Sequence, residues 1–178
     1  MAEFDRREGV IVPPMSRNKI AQIGAALRKG ISLDLVQRFP IVEIYEWLHL
    51  IVPGSRYQVE ESRLMGDDDA RTYPEKGLIQ IREEVYDAAA QENGRARFTL
   101  AHELGHLMMH RNISFARVNP QCPPRIFENS EWQADVFASH LLMPDELIAS
   151  CSSVEDVMRN FGVSRSAAEL RFVKKLKG

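Results

Sequence analysis

Apolar residues recur every three or four positions in the first part of the chain, a rhythm that predicts two helices. Ser16 can cap the first helix, because its side-chain oxygen can accept a hydrogen bond from a free backbone N–H. The apolar positions of this helix are Ile20, Ile23 and Leu27. Pro40 suits the first turn of the second helix, in PIVEIYEWLHLIV, which Pro53-Gly54 ends. The apolar side of the second helix consists of Ile41, Ile44, Tyr45 and Leu48.

The segment that ends at Pro13-Pro14 is polar and closes with two residues that resist helix formation, so we expect a loose arm. Its start, MAEFDRREGV, contains acidic residues and no apolar stretch of about 7 or more, which argues against a secretory signal. No later apolar run reaches membrane-spanning length. The chain has only two cysteines, Cys122 and Cys151. We therefore expect a cytosolic protein without a disulfide framework.

The middle of the chain changes to short, partly alternating segments, RYQVEESRLM, ARTY and GLIQIR. GDDD and PEKG separate them and have the composition of turns, so we expect a small antiparallel sheet. From Asn93 onwards the pattern is helical again, with breaks at NPQCPP, Met143-Pro144 and FGVS. Helices, then strands, then helices indicate the α+β class.

Composition adds two constraints on size and charge. The 178 residues, 44% hydrophobic and 27% charged, are typical of a globular protein. A chain of this length buries roughly 70% of its unfolded surface, so it needs no disulfides to form a core. The formal net charge of -2 argues against a protein held on nucleic acid or an anionic membrane by bulk electrostatics.

The segment FTLAHELGHLMMH contains His102, Glu103 and His106 in the order H-E-x-x-H. Residues four apart lie about 6 Å apart on one face of a helix, so both imidazoles could bind one metal ion. Glu103 lies beside that face, where a carboxylate can act as a general base on water activated by the metal. The same residues could also lie on an ordinary amphipathic helix. A third ligand is therefore needed to distinguish a metal site from such a helix.

Two arrangements would supply this third ligand. In one, Gly and His follow the second histidine by three and six positions, where this chain has Met109 and Asn112, so that arrangement is excluded. In the other, a glutamate comes from a later helix, and NSEWQADVFASHLLMP supplies Glu131. Asp135, on the same face, can accept a hydrogen bond from the outer nitrogen of a ligand histidine. Two histidines and a glutamate would leave one tetrahedral position for water.

Four further residues lie near these motifs. Gly105 inside the helix indicates close packing, with another backbone approaching it. His110 lies too far along the helix to bind the same ion, and we interpret it as a surface or supporting residue. His140 falls nearly opposite Glu131 and is assigned to packing. Cys122 is interpreted as a free loop cysteine, the alternative being an inhibitory zinc-binding thiolate.

At RFTLAHELGH, followed by ExxADVFASHLLMP, the chain resembles the ImmA/IrrE family of metallo-endopeptidases, small intracellular zincins of bacteria and their mobile elements. The likeness extends from about Pro40 to the C-terminus, and the two motifs together are its specific part. It implies a zincin-like fold with a small antiparallel sheet packed on helices and a helical tail. The chain then divides into an N-terminal arm and helix (1–39), a zincin-like metallopeptidase domain (40–150) and a helix-turn-helix-like C-terminal segment (151–178).

The resemblance also implies roles for individual residues. His102, His106 and Glu131 would bind one zinc ion per chain, although such a site also accepts other divalent ions. Glu103 would be the general base, and Asp135 would support the ligands. Members of the family cut helix-turn-helix repressors that control mobile elements or stress responses, and others resemble partners in toxin-antitoxin pairs. We therefore expect a repressor-like protein substrate in the cytoplasm, no membrane partner, and no nucleic acid as direct ligand.

Three expectations concern the surroundings of this site. Tyr86 or an arginine is a candidate donor to the oxyanion, and GLIQIR is a candidate edge strand for an extended substrate. For the tail, a helical pair that closes the core is favoured over a DNA-binding helix-turn-helix. The apolar residues of that pair are Val157, Phe161, Leu170 and Val173. The basic residues of the tail are Arg159, Arg165, Arg171, Lys174, Lys175 and Lys177.

Three hypotheses about function follow. An intracellular zinc endopeptidase requires the metal and cleavage that depends on Glu103. A pseudoprotease or toxin-antitoxin partner would control a repressor by association alone, and its complex would survive Glu103→Gln. A DNA-binding protein would bind in a salt-sensitive way through Lys174 and Lys175. The complete set of ligands and base favours the first hypothesis.

Overall fold

The computed structural model describes residues 9–111, 113 and 125–177, with side chains up to residue 173. The helices in this part of the chain are α1 (Arg17–Gly30), α2 (Ile41–Glu46), α3 (Leu48–Ile51), α4 (Ser62–Met65), α5 (Glu83–Ala90), α6 (Gly94–Met109), α7 (Ser130–Leu142), α8 (Asp145–Ile148), α9 (Val154–Phe161) and α10 (Arg165–Lys177). The strands are β1 (Arg56–Glu60), β2 (Ala70–Tyr73) and β3 (Leu78–Arg82). A small sheet among many helices confirms the predicted α+β class.

Helix α1 forms as its apolar rhythm predicts and packs along α7. The Ser16 side chain accepts a hydrogen bond from the backbone nitrogen of Lys19, which satisfies one of the free N–H groups at the helix start. Ile20 and Leu27 are buried on the side that faces the core. Between them, Gly24 faces the backbone of α7.

The predicted second helix is divided into α2 and α3 at Trp47, whose backbone angles (φ -103°, ψ 13°) leave the helical range. The predicted apolar side nevertheless continues across the break, from Ile41 to Leu48, and is buried throughout. Tyr45 donates a hydrogen bond to the carbonyl oxygen of Leu100 on α6 over 2.7 Å. The buried phenol therefore has a polar partner within the core.

The three strands form one sheet in the order β1-β3-β2. β2 and β3 are antiparallel, whereas β1 pairs with β3 in parallel, with Arg56 opposite Leu78 and Glu60 opposite Arg82. The prediction of an antiparallel sheet is therefore wrong for β1. Alternation of apolar and polar residues is the same for either strand direction. The direction is set by the path of the chain, which passes through α4 and β2 before β3.

Residues 9–15 do not form the loose arm that the sequence predicted. They run extended beside the start of α7, where Ile11 forms an antiparallel bridge with Asn129. The backbone nitrogen of Val12 donates to the carbonyl oxygen of Glu128 over 2.9 Å, and the Val12 side chain is 2% exposed. The partners of this segment lie more than a hundred residues further along the chain, so no local pattern indicates them.

The C-terminal helices α9 and α10 pack against each other and contribute to the core. Val157 and Phe161 on α9 are buried, as predicted. Leu170 and Val173 on α10 are instead 53% and 46% exposed, and Ala168 is buried. The prediction is therefore wrong for these two residues, because α10 turns a face with a small side chain towards its neighbours.

The tail does not present all of its basic residues on one surface. Arg171 is 3% exposed and donates to the carbonyl oxygen of Met143 and to the carboxylate of Asp145. Arg159 and Arg165 are exposed and form ion pairs with acidic neighbours on α9. Arg171 thus belongs to the core and is not available for a basic surface. The side chains of Lys174, Lys175 and Lys177 lie outside the described part of the structure.

Helices α6 and α7 pack against each other at the centre of the core. Leu100 and Leu104 on α6, together with Phe137 and Leu141 on α7, have no exposed surface. This pairing joins the helix that carries HELGH to the helix that carries ExxAD. Within the described ranges, no helix is both long enough and apolar enough to cross a lipid bilayer.

Candidate metal centre

Helix α6 presents both motif histidines in one place. Asn93 begins the helix, where its side-chain oxygen accepts hydrogen bonds from the backbone nitrogens of Arg95 and Ala96. One turn separates His102 from His106, and their ring centroids lie 4.7 Å apart. Their Nε2 atoms lie 2.9 Å apart, so two nitrogen donors converge on one point.

Helix α7 brings Glu131 to the same point. Asn129 caps α7 by accepting a hydrogen bond from the backbone nitrogen of Trp132, which places Glu131 in the first turn. One carboxylate oxygen of Glu131 lies 3.2 Å from Nε2 of His102. The other lies 3.3 Å from Nε2 of His106. Glu131, which follows His106 by 25 positions in the sequence, therefore joins the two histidines in one cluster.

The spacing of these donor atoms fits a metal ion. Ligand nitrogens and oxygens about 2.0–2.1 Å from a tetrahedral zinc ion lie about 3.3 Å from one another. The closest donor pairs here are separated by 2.9 to 3.3 Å. Two imidazoles and one carboxylate are also a common ligand set of catalytic zinc, which leaves a fourth position for water. His102, His106 and Glu131 are thus a candidate metal site.

Asp135 lies on the outer side of His102. Its carboxylate oxygen is 2.8 Å from Nδ1 of the His102 ring. Because an ionised carboxylate can only accept, Nδ1 must carry the hydrogen. In the neutral ring this leaves the lone pair on Nε2, the atom that faces Glu131 and His106.

The charges of the cluster favour a cation at its centre. Burial lowers the pKa of His102, but the hydrogen bonds with Asp135 and Glu131 outweigh it and raise the pKa to about 10. Burial raises the pKa of Glu131, but the hydrogen bonds with His102 and His106 hold it well below the ordinary range of a carboxyl group. Glu131 is therefore ionised at neutral pH. A metal ion that binds His102 must displace its proton.

Glu103 faces the same cleft as the three donor residues. It is 8% exposed, and its carboxylate accepts a 2.6 Å hydrogen bond from the hydroxyl of Thr72 on β2. The cleft has a volume of about 490 Å³, and its walls include Glu103, Thr72, His102, His106 and Glu131. The structure thus brings the predicted general base and the predicted ligands into one cavity. No motif or spacing in the sequence indicated Thr72 as part of the site.

Gly105 allows α6 and α7 to approach closely. A Cβ atom at this position would lie 2.9 Å from Cδ1 of Phe137, closer than real Cβ contacts. The prediction of close packing is confirmed, although the neighbour is a side chain and not the predicted backbone. Because His102 and Glu131 lie on these two helices, their separation depends on this contact.

His110 is a supporting residue and not a surface residue. It is 2% exposed, and its Nδ1 lies 3.0 Å from Nδ1 of His106. Its Nε2 lies 3.1 Å from the side-chain oxygen of Gln133, which is fully buried. Burial, together with the nearby charge of His106, lowers the pKa of His110 to about 4. The spacing of four from His106 could have indicated this contact, whereas nothing in the sequence singled out Gln133.

Among the expectations about the surroundings of the cleft, Tyr86 as oxyanion donor and GLIQIR as edge strand are wrong, whereas the alternative of an arginine stays a prediction. Tyr86 donates to the carboxylate of Glu46 and is not part of the cleft wall, whereas Arg71 is. GLIQIR forms β3, which is hydrogen-bonded on both sides, so the edge strand beside the cleft is β2. A strand's residue pattern shows which face is buried but not its place in the sheet.

The remaining candidates lie away from these atoms or outside the described residues. His140 is buried on α7, as predicted, with its Nδ1 atom 3.4 Å from the carboxylate of Asp145. Cys122 and Asn112 fall outside the described residues, so the alternative of a zinc-binding thiolate at Cys122 stays open.

Comparison with known proteins adds the family. A family model named Peptidase_M78 and described as an IrrE N-terminal-like domain matches residues 59–173. The matched range contains the three candidate ligands, together with Glu103 and Asp135. A search of curated proteins finds no match. Because the family model covers well over half of the chain, the protein belongs to the Peptidase_M78 family, as its two motifs indicated.

Proposed function

We propose that this protein is a zinc-dependent endopeptidase whose metal is held by His102, His106 and Glu131. The observation that carries the proposal is the convergence of three donor atoms in a cleft that also contains the Glu103 carboxylate. Zinc held by these residues would act as a Lewis acid towards a substrate carbonyl and would lower the pKa of a water at the site towards neutrality. Membership of a peptidase family supports the same reaction class.

The residues of the cleft have distinct roles in this proposal. Glu103 takes a proton from the attacking water and delivers it to the nitrogen of the leaving amine. Thr72 holds the carboxylate of Glu103 in one orientation through their 2.6 Å hydrogen bond. Asp135 orients His102, so that its Nε2 lone pair is directed at the metal. Arg71, in the cleft wall, replaces Tyr86 as the candidate donor to the developing oxyanion.

The substrate is proposed to bind in an extended conformation along β2. This strand pairs with β3 on one side only, so the other side offers backbone groups to a peptide. All four residues of β2 contribute to the wall of the cleft. A peptide that pairs there would pass directly beside Glu103, which Thr72 of the same strand contacts.

The resemblance to the ImmA/IrrE family extends the proposal to a substrate class, a helix-turn-helix transcriptional repressor in the cytoplasm. The alternative is a regulator that binds such a repressor without cutting it, as a pseudoprotease or toxin-antitoxin partner. The presence of Glu103 beside a full set of donors favours the peptidase, because association alone requires neither.

The test compares wild type, Glu103→Gln and Glu131→Ala. We expect one zinc per chain in wild type and Glu103→Gln, and a large loss of zinc in Glu131→Ala, measured by elemental analysis. Wild type and Glu103→Gln are then incubated with a bacterial lysate that contains repressors, and new protein N-termini are labelled and sequenced. New termini should appear with wild type only. Hydrolysis by Glu103→Gln would refute the assignment of the base, and a stable complex without new termini would favour the regulator.

A further inference from the structure

We propose that His110 and Gln133 are positioning residues that orient the ligand His106 and connect it to the N-terminal segment, residues 9–15. We call this chain of hydrogen bonds the relay. It rests on the proposed metal site, because it concerns how one ligand of that site is held. The relay differs from the contact at His102, where Asp135 is a charged and half-exposed acceptor.

The orientation of Gln133 determines the first step. Its side-chain nitrogen lies 2.9 Å from the carbonyl oxygen of Pro13 and 2.8 Å from that of Phe127. Carbonyl oxygens only accept, so the amide nitrogen must face them and the amide oxygen must face His110. That oxygen lies 3.1 Å from Nε2 of His110, which must therefore donate.

The second step follows from the two nitrogens of a neutral imidazole. Since Nε2 of His110 carries the hydrogen, Nδ1 is the acceptor. This Nδ1 lies 3.0 Å from Nδ1 of His106, which must supply the hydrogen of that bond. His106 therefore keeps its hydrogen on Nδ1, and the proton that a metal ion would displace is the one on Nε2, the atom that faces Glu131 and His102. Each hydrogen bond thus fixes which nitrogen of its histidine carries the hydrogen. In His106 this is Nδ1, so Nε2 is the nitrogen that can bind a metal ion.

The relay also connects the site to a distant part of the chain. Pro13 belongs to the extended segment that pairs with the residues just before and at the start of α7. Both His110 and Gln133 are buried, so water does not compete readily for their hydrogen bonds. The position of His106 therefore depends on the N-terminal segment, which itself supplies no metal-binding side chain among the described residues.

Zinc affinity, measured by competition with a chromophoric chelator, tests the relay. We expect His110→Phe, which keeps the ring but removes the acceptor, to weaken zinc binding by roughly 10–100-fold. His110→Asn, whose amide oxygen can take the place of Nδ1, should restore part of the affinity. His140→Phe is the matched control, because it replaces another buried histidine and should leave zinc affinity unchanged. Wild-type affinity in a folded His110→Phe would overturn the proposal.

The tautomer of His110 gives a second measurement that does not need metal or activity. Nitrogen-15 NMR of the imidazoles should show hydrogen on Nε2 of His110 in wild type, and Gln133→Met should abolish this preference. Hydrogen on Nδ1 of His110 in wild type would overturn the relay even if His110→Phe fails to fold. If wild type binds zinc but cuts no protein, the proposed peptidase activity is refuted. The zinc affinities of wild type and the His110 variants still test the relay in that case.

Discussion

Single hydrogen bonds decide which nitrogen of each ligand histidine is available at the candidate centre. Nδ1 of His102 is 2.8 Å from Asp135, and Nδ1 of His106 is 3.0 Å from His110. In both rings the outer nitrogen is occupied, so the inner nitrogen is the one that can bind a metal ion once its proton is displaced. At the residue scale, the supporting contacts therefore determine the ligands as much as the motif does.

Asp135→Ala should weaken zinc binding by roughly 10–100-fold, because Nδ1 of His102 loses its acceptor. Asp135→Asn, which keeps an acceptor oxygen, should lose less. Because half of the Asp135 side chain is exposed, we expect the lost hydrogen bond with His102 to lower the unfolding temperature of the metal-free Asp135→Ala variant only modestly. Chelator competition measures the affinity. Equal affinities of wild type and Asp135→Ala would exclude a role for Asp135 in the site.

The buried Tyr45 should make the free energy of unfolding decrease at alkaline pH, because its phenol ionises more readily in the unfolded chain than in the folded protein. Burial, followed by the negative charge of Glu103, raises the pKa of Tyr45 well above its ordinary value of 10.0. Above this value the unfolded chain releases the proton while the folded state keeps it. The free energy of unfolding is therefore unaffected by this ionisation below about pH 10. Above that pH it falls by up to about 1.4 kcal/mol per pH unit.

Tyr45→Phe should cost about 1 kcal/mol at neutral pH, where it removes a hydrogen bond, and should reduce the alkaline loss. Urea unfolding between neutral pH and pH 11 measures both effects. Tyr57 and Tyr86 are unchanged in the variant, so the difference from wild type isolates Tyr45. Identical slopes of stability against pH in the two proteins would contradict the assignment.

At the scale of helices and strands, α7 is faced by one glycine from each of two neighbouring helices, Gly105 of α6 and Gly24 of α1. A Cβ at Gly105 would lie 2.9 Å from the Phe137 ring, whereas a Cβ at Gly24 would have its nearest neighbour at 3.6 Å. At the first distance either the Phe137 side chain or the spacing of α6 and α7 must shift, and the second distance is an ordinary van der Waals contact. The two positions therefore form a matched pair for testing which helix contact supports the centre.

Gly105→Ala should lower the free energy of unfolding by roughly 1–3 kcal/mol through overpacking, and it should also weaken zinc binding. Gly24→Ala should be neutral or stabilise by up to about 1 kcal/mol, because alanine favours helix more than glycine does. Thermal unfolding and chelator competition measure the two effects. If Gly105→Ala is as stable and binds zinc as tightly as Gly24→Ala, the spacing of α6 and α7 does not limit the site.

At the scale of the whole molecule, the centre joins parts that are far apart in the sequence. Its donors come from α6 and α7, Glu103 is held by Thr72 on β2, and the relay ends on residues 9–15. An ion bound by both helices stabilises the folded state and not the unfolded chain. Metal binding should therefore appear as added stability of the entire fold.

Free zinc at about 100 times its dissociation constant should raise the free energy of unfolding by about 2.7 kcal/mol. Calorimetry with and without zinc measures this as a higher unfolding temperature, and a chelator should reverse it. Glu131→Ala, which lacks the ligand from α7, should show little of this increase. An equal rise in unfolding temperature in wild type and Glu131→Ala would mean that the ion binds at another site.

The sequence by itself determined helix α1, the helical character of α6 and α7, and the residues that converge on the centre. A period of three to four fixes which side of a helix is buried, as Ile41 and Ile44 show. The same period places His102 beside His106 and Glu131 beside Asp135. These relations are local, because residues four apart on a helix are neighbours whatever surrounds them.

Only the tertiary structure decided how these local pieces meet. It set β1 parallel to β3, turned Leu170 outward, and placed Thr72 on Glu103. It also joined Gln133 to Pro13, 120 positions earlier in the chain. A periodic pattern records which face of an element is apolar but not which element covers it. Strand order, helix rotation and the relay depend on those neighbours, so they follow from the packing of the whole chain.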